Sequence, residues 1–235
     1  MWKDVDGSIT QRRHNAVMGT MILKPNQTVV CLGDSITQDP NGYVTLASGL
    51  VAAMMPTMNV RFVNAGIGGH KSNDMLGRLE RDVISQSPDW VTVSCGVNDV
   101  WHGFFNLDGS PNPSGDGPSG VSITDFRRDM AEIVRRIKFE TQAQVMLLTP
   151  TIIGEEADTP QNIMLEMYVA AVRQLAKDAG CALCDMREGC LQTLTQARSI
   201  DRNFSLTTDG VHMNCYGASV MTVALLRAFG FALGE

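Results

Sequence analysis

The feature that most narrows what this chain can fold into is a rhythm. Five short, nearly continuous apolar runs rich in β-branched residues recur along it: Thr28–Leu32, Val60–Asn64, Trp90–Ser94, Ala143–Thr149 and Ala182–Asp185. Continuous rather than alternating apolar character is what strands buried on both faces require. Helical patterns lie between them, over Tyr43–Met55, Asn73–Ser85, Thr124–Glu140 and Pro160–Ala179, and a last one runs over Asn214–Phe229. Thr159 before Pro160 gives a cap and a first-turn proline, and Gly180 gives a stop. Strand alternating with helix predicts right-handed crossovers and a parallel sheet covered by helices on both faces, an α/β fold. In such sheets ligands bind beyond the carboxyl ends of the strands. The residues after each strand are therefore the place to look for chemistry.

Those residues are Gly33-Asp-Ser35 after the first run, Ala65-Gly-Ile-Gly-Gly69 after the second and Gly96-Val-Asn98-Asp99 after the third, with Asp209-Gly-Val-His212 ahead of the last helix. A serine hydroxyl is a weak nucleophile until a base takes its proton. Of the four histidines, only His212 has a carboxylate three residues upstream in a glycine-containing turn. Asp209 can there accept the Nδ1 proton and leave Nε2 facing Ser35, whatever the chain order, because a triad is defined by geometry. The Ser35 N–H, the Gly69 N–H and the Asn98 amide are candidate donors for the oxyanion that acyl transfer creates. Each piece alone also reads as a turn or a cap; it is the four together, all at strand ends or loops, that point to a hydrolase.

The series GDSIT (33–37), NAGIGG (64–69), GVND (96–99) and DGVH (209–212) resembles the four blocks of the SGNH (GDSL) hydrolases, in order and in spacing. The resemblance spans Thr28 to the C-terminus. It implies Ser35 as nucleophile, His212 as base, Asp209 as its partner, and Ser35, Gly69 and Asn98 as the oxyanion hole. It also implies a three-layer, flavodoxin-like fold with a five-stranded parallel sheet in the order 2-1-3-4-5. Two positions depart from the pattern: Met213 stands where the family usually has proline, and His70 follows Gly69, where it reads as a solvated loop residue beside Lys71. The stretches DVISQSPDWVTVSCGVNDVW (82–101) and LLTPTII (147–153) look most like bacterial acetylxylan esterases of this type.

Composition excludes several alternatives. A formal charge of −6 disfavours nucleic acid, whose phosphates are bound through Lys and Arg. No apolar run approaches the ~20 residues of a membrane span. Arg12 and Arg13 precede a short apolar stretch, but Lys24-Pro-Asn-Gln follows it with no cleavage site, so a cytoplasmic chain is expected. Cys181 and Cys184 have redox or half-zinc spacing but fall in a strand and lack a second pair, so they read as buried thiols. A flavin or nucleotide binder on the same fold is disfavoured because Asp34 and Asp39 flank the first strand-end loop.

Residues 1–26 read as an N-terminal extension and 27–235 as a single hydrolase domain. The stretch His102–Val121, more than half Gly, Pro and Ser, reads as a long loop over the same sheet edge. The expected activity is a serine esterase that removes acetyl groups from carbohydrates such as xylo-oligosaccharides through an acyl-Ser35 intermediate, with no cofactor or metal. A lysophospholipase or acyl thioesterase using the same triad is the alternative. Asp34, Trp101 and Phe104 are candidate substrate contacts, with Phe105 beside them as part of a sugar-stacking surface. The resemblance is compatible with a homo-oligomer, although no interface is legible.

Overall fold

The computed structural model describes residues 21–233. Five parallel strands, β1 (Thr28–Gly33), β2 (Arg61–Gly66), β3 (Trp90–Ser94), β4 (Gln144–Leu148) and β5 (Ala182–Cys184), pair in the order β2-β1-β3-β4-β5. The register sets Gly33 against Gly66, Ser94 against Leu148, and Leu148 against Cys184, so the carboxyl ends line one edge. The continuous apolar runs are explained by burial: Val29 to Leu32 and Trp90 to Ser94 are buried throughout, whereas the edge strand β2 is mostly half-exposed.

Helices α1 (Ser35–Gln38) and α2 (Tyr43–Met54) follow β1, and α3 (Ser72–Gly77) and α4 (Leu79–Asp82) follow β2. Next come α5 (Val97–Trp101), α6 (Ile123–Glu140), α7 (Pro160–Ala179), α8 (Met186–Arg198) and α9 (Cys215–Ala228). α9 packs on α2 and α8, while α6 packs on α3 and α7, giving the layers either side of the sheet. The caps read from sequence form: the Thr159 hydroxyl accepts from the Asn162 N–H, Pro160 opens α7, and Gly180 ends it at φ 60°.

Three differences from the sequence reading have physical causes. The single helix expected over Asn73–Ser85 is broken into α3 and α4 at Arg78, whose side chain turns inward. α8 was not anticipated, because one of its inward positions is the cation Arg187, buried beside Met186, Cys190 and Leu194. Counted as polar, it hides the helical period. The 102–121 stretch is ordered rather than structureless. The Gly117 N–H donates to the Gly103 carbonyl, the Asn112 N–H to Phe104, and the Val121 N–H to Asp99, tying the loop to α5. The six cysteines are all unpaired, and Cys184 is buried while Cys181 is half-buried.

Most of the 1–26 extension lies outside the described residues. Its described end is docked: Leu23 is buried, and the Ile22 N–H donates to the Phe229 carbonyl at 3.0 Å. Among the described residues no helix is long and apolar enough to cross a membrane.

Arg187 reaches the loop after β4, donating to the Thr151 carbonyl (2.8 Å) and to Asn162 Oδ1 (3.0 Å). Asn162 is itself buried, with its Nδ2 donating to the carbonyls of Ile153 (2.6 Å) and Glu156 (2.8 Å) and its Oδ1 accepting from the Ile153 N–H. Truncation would leave buried donors and acceptors unpaired. Asn162→Ala is expected to lower unfolding stability by about 3 kcal/mol, measured by urea denaturation.

Candidate active site

Ser35 is the first residue of α1, directly after β1, and Asp34 caps that helix by accepting the Ile36 N–H at 2.9 Å. The first amides of a helix have no helical acceptor, so the Ser35 N–H sits where a ligand oxygen can take it. Ser35 Oγ is 2.9 Å from His212 Nε2, and His212 Nδ1 is 2.7 Å from Asp209 Oδ2. The structure therefore brings together a hydroxyl, an imidazole and a carboxylate from sequence positions 177 apart.

The Asp209 loop is a tight turn. Asp209 Oδ1 accepts the N–H groups of Val211 (3.0 Å) and His212 (2.8 Å), and the Thr208 N–H donates to the His212 carbonyl at 2.9 Å. Partial burial opposes ionisation of Asp209. Hydrogen bonds from the His212 ring and from those two amides outweigh it and hold the carboxyl at about 2. Asp209 is thus ionised wherever the protein is folded at ordinary pH, placed to orient the ring and offset a charge on it.

Met213 stands where the family pattern has proline, and the exchange leaves the hydrogen bonds of the turn unchanged. Thr207 and Met213 face each other across a bridge whose bonds are made by Thr208 with His212 and by Asn214 with Leu206. The Met213 amide takes no part in those bonds.

The loop after β2 comes up beside Ser35. A Cβ added at Gly68 would lie 3.7 Å from the Ser35 Cβ, and the Gly68 N–H donates to Gln38 Oε1 at 2.8 Å. Gly69 has φ 77°, a conformation that side chains rarely adopt. Asn98, buried in α5, donates one Nδ2 hydrogen to the His70 carbonyl at 3.1 Å, which fixes its amide and leaves the second hydrogen available. Behind it, buried Asp99 accepts the Ser72 N–H (3.0 Å) and hydroxyl (2.6 Å), pinning α5 to α3.

Other anticipated residues are placed differently. Asp34, expected to touch substrate, is 2 % exposed and faces the Ile36 amide, so its position is that of a cap. Phe104 is buried, while Trp101 and Phe105 are half-buried and meet edge to face at 5.1 Å. Together these rings help line a cavity of about 320 Å³ with Pro111, Asn112 and Gln161. A second cleft, of about 310 Å³, borders Ser35 and His212 and is lined by Ile36, Asp39, Tyr43, Met213 and Met221. His70 is not simply solvated: it accepts a hydrogen bond from buried Arg78.

Glu155, unremarked in the sequence, supports the histidine loop. Its Oε1 accepts the N–H groups of Leu206 (3.0 Å) and Thr207 (2.8 Å) and the Thr207 hydroxyl (2.5 Å). Nothing in the sequence marks it, since a Glu-Glu pair in a loop reads as solvated.

A serine hydroxyl at the tip of β1, bonded to an imidazole that is bonded in turn to a carboxylate, on a three-layer α/β/α fold, is the arrangement of a serine carboxylic ester hydrolase. The chain belongs to the GDSL-like lipase/acylhydrolase family, whose model matches residues 31–219. It is 30% identical over 196 residues to an acetylxylan esterase of Geobacillus stearothermophilus, covering 81% of each chain. Among solved structures, Axe2, an acetylxylan esterase from the same organism, superposes with a TM-score of 0.77 at 26% identity, covering 90% of this chain and 97% of that one. An alpha/beta hydrolase enzyme from the metagenome of Lake Arreo, Spain, also gives a TM-score of 0.77 at 26% identity, over 92% of this chain and 100% of that one.

Burial, aided by the nearby Asp99 charge and opposed by the Ile36 amide, pushes Asp34 up to about 6 from its ordinary 3.8. A carboxyl raised by folding favours the folded state below its unfolded pKa, and that advantage is lost as pH rises through the folded value. Asn keeps the acceptor for Ile36 without the charge. Asp34→Asn should therefore stabilise the protein above pH 6, by at most ~3 kcal/mol, and change little near pH 3.5. Urea titrations of both proteins at the two pH values would measure this.

Proposed function

We propose that this protein is an acetyl esterase acting on acetylated carbohydrates of the xylo-oligosaccharide type, through an acetyl-Ser35 intermediate. The observation that carries the mechanism is the 2.9 Å contact between Ser35 Oγ and His212 Nε2, backed by Asp209 at 2.7 Å. Ser35 Oγ attacks the acetyl carbonyl carbon as its proton passes to Nε2. The carbonyl oxygen becomes an oxyanion, held by the Ser35 and Gly69 amides and Asn98 Nδ2. Collapse breaks the ester C–O bond, and the sugar oxygen leaves with the proton from Nε2. Water then gives a proton to Nε2 and attacks acetyl-Ser35, releasing acetate and restoring the hydroxyl.

The choice of acyl group and alcohol is supported by the acetylxylan esterase relative. The cleft beside Ser35, about 310 Å³, is at the small end of the roughly 300–1,000 Å³ of ligand sites, which suits a short acyl group better than a long chain. Trp101 lies one helical turn beyond Asn98 on α5 and, with Phe105, offers ring faces on which a sugar can stack. Phe104 backs these rings from the core.

Ser35→Ala is expected to abolish hydrolysis while leaving the melting curve nearly unchanged. Asn98→Ala should lower kcat by roughly 10²–10³. The assignment of substrate is tested by comparing acetylated xylo-oligosaccharides, lysolipids and thioesters, with acetyl and octanoyl p-nitrophenyl esters alongside. A clear preference for octanoyl esters or lysolipids would reject the deacetylase.

A further inference from the structure

Arg78 sits where the helix expected after β2 is interrupted, and its side chain is only 5 % exposed. Its guanidinium makes four separate bonds. Nη2 donates to the Gly33 carbonyl (2.8 Å), Nη1 to the Ala65 carbonyl (2.8 Å) and to Asp82 Oδ2 (2.9 Å), and Nε to His70 Nδ1 (3.1 Å). These acceptors are not scattered. Gly33 ends β1 two residues before Ser35, and Ala65 lies four residues before Gly69. His70 follows Gly69, and its carbonyl is the acceptor that orients Asn98 Nδ2 at 3.1 Å. One rigid, planar group thus touches the backbone or side chain that leads to each of the three donors proposed for the oxyanion, the Ser35 and Gly69 N–H groups and the Asn98 amide.

We propose that Arg78, acting through His70, is a positioning residue that sets the mutual spacing of the Ser35, Gly69 and Asn98 donors. The proposal rests on those three groups forming the oxyanion hole. A fork of fixed geometry can hold two strand-end carbonyls and a ring nitrogen at once, whereas a lysine ammonium offers three donors from a single point. The His70 contact also selects a state of that ring. Nδ1 can accept only when it carries no proton, so the imidazole must be neutral with its hydrogen on Nε2. The groups around it favour this: burial and the Arg78 charge lower the His70 pKa below 6.5, Lys71 adds to them, and Asp74 and Asp82 oppose.

Donors that are misaligned by a fraction of an ångström still admit a neutral ester but lose strength where charge develops, so the effect belongs in kcat rather than KM. The experiment is steady-state hydrolysis of p-nitrophenyl acetate by wild type, Arg78→Lys, His70→Ala and His70→Asn, with inhibition by phenylboronic acid, which places an oxygen in the hole on binding Ser35. Arg78→Lys is expected to lose roughly 10²-fold in kcat, and His70→Ala roughly tenfold, with KM within about twofold and boronate affinity falling in step. Asn offers Oδ1 near the position of the ring Nδ1, so His70→Asn should recover most of what His70→Ala loses.

A folded Arg78→Lys protein with kcat within about twofold of wild type would overturn the proposal, as would loss confined to KM. If Arg78→Lys does not fold, the His70 pair decides: equal kcat in the Ala and Asn variants rejects the role. Absence of Ser35-dependent turnover in the wild type would instead remove the esterase mechanism itself, so the two failures are distinguishable.

Discussion

The parallel ladder centred on β1 is the constraint on which everything else depends. Because β1 lies between β2 and β3 and is buried on both faces, its exit point is fixed by hydrogen bonds and by packing from both sides. Whatever follows Gly33 must emerge at the same edge as whatever follows Gly66 and Ser94. A reactive hydroxyl there is held by the whole sheet rather than by its own short helix. The four-residue α1 would not persist in isolation, since an isolated helix that short lacks the bonds to offset its nucleation.

On top of that frame, a few buried or half-buried polar side chains convert strand ends into a site of defined geometry. Arg78 spans the exits of β1 and β2, and Asp99 ties α5 to α3 through Ser72. Glu155 carries the histidine loop by binding the amides of Leu206 and Thr207, and Asn162 and Arg187 in turn brace the loop that holds Glu155. Each of these groups would be costly to bury alone. Arg187, Asn162 and Glu155 bond to loop backbone, Arg78 to strand-end carbonyls and Asp99 to the first residue of α3, so each holds a segment beside the site. The exposed pair of Asp209 and His212 shows the complementary arrangement: little burial, but a turn whose amides lock the carboxylate in place.

Much of this was legible without coordinates. Strands β1 to β5 were foreseen to within a residue or two, because continuous apolar runs report burial on two faces. α7 matched its expected limits, since Thr159, Pro160 and Gly180 act locally. Ser35, Gly69, Asn98, Asp209 and His212 were each marked by a short motif at a strand end or loop. Asp34 reads in the sequence as a substrate contact because a carboxylate beside Ser35 looks available, whereas the structure buries it against the Ile36 amide. α8 and the break at Arg78 went unseen for one shared reason: an arginine facing inward is written with the same letter as one facing water.

The amino-acid order alone determined the class of fold and marked the candidate reactive groups, since periodicity and turn chemistry are properties of neighbours along the chain. Only the tertiary structure decided that a hydroxyl and an imidazole 177 positions apart lie 2.9 Å from each other, and which buried charges brace the loops that bring them there. Those contacts join segments distant in sequence, and a polar residue's partner is chosen by the space around it rather than by the residues beside it.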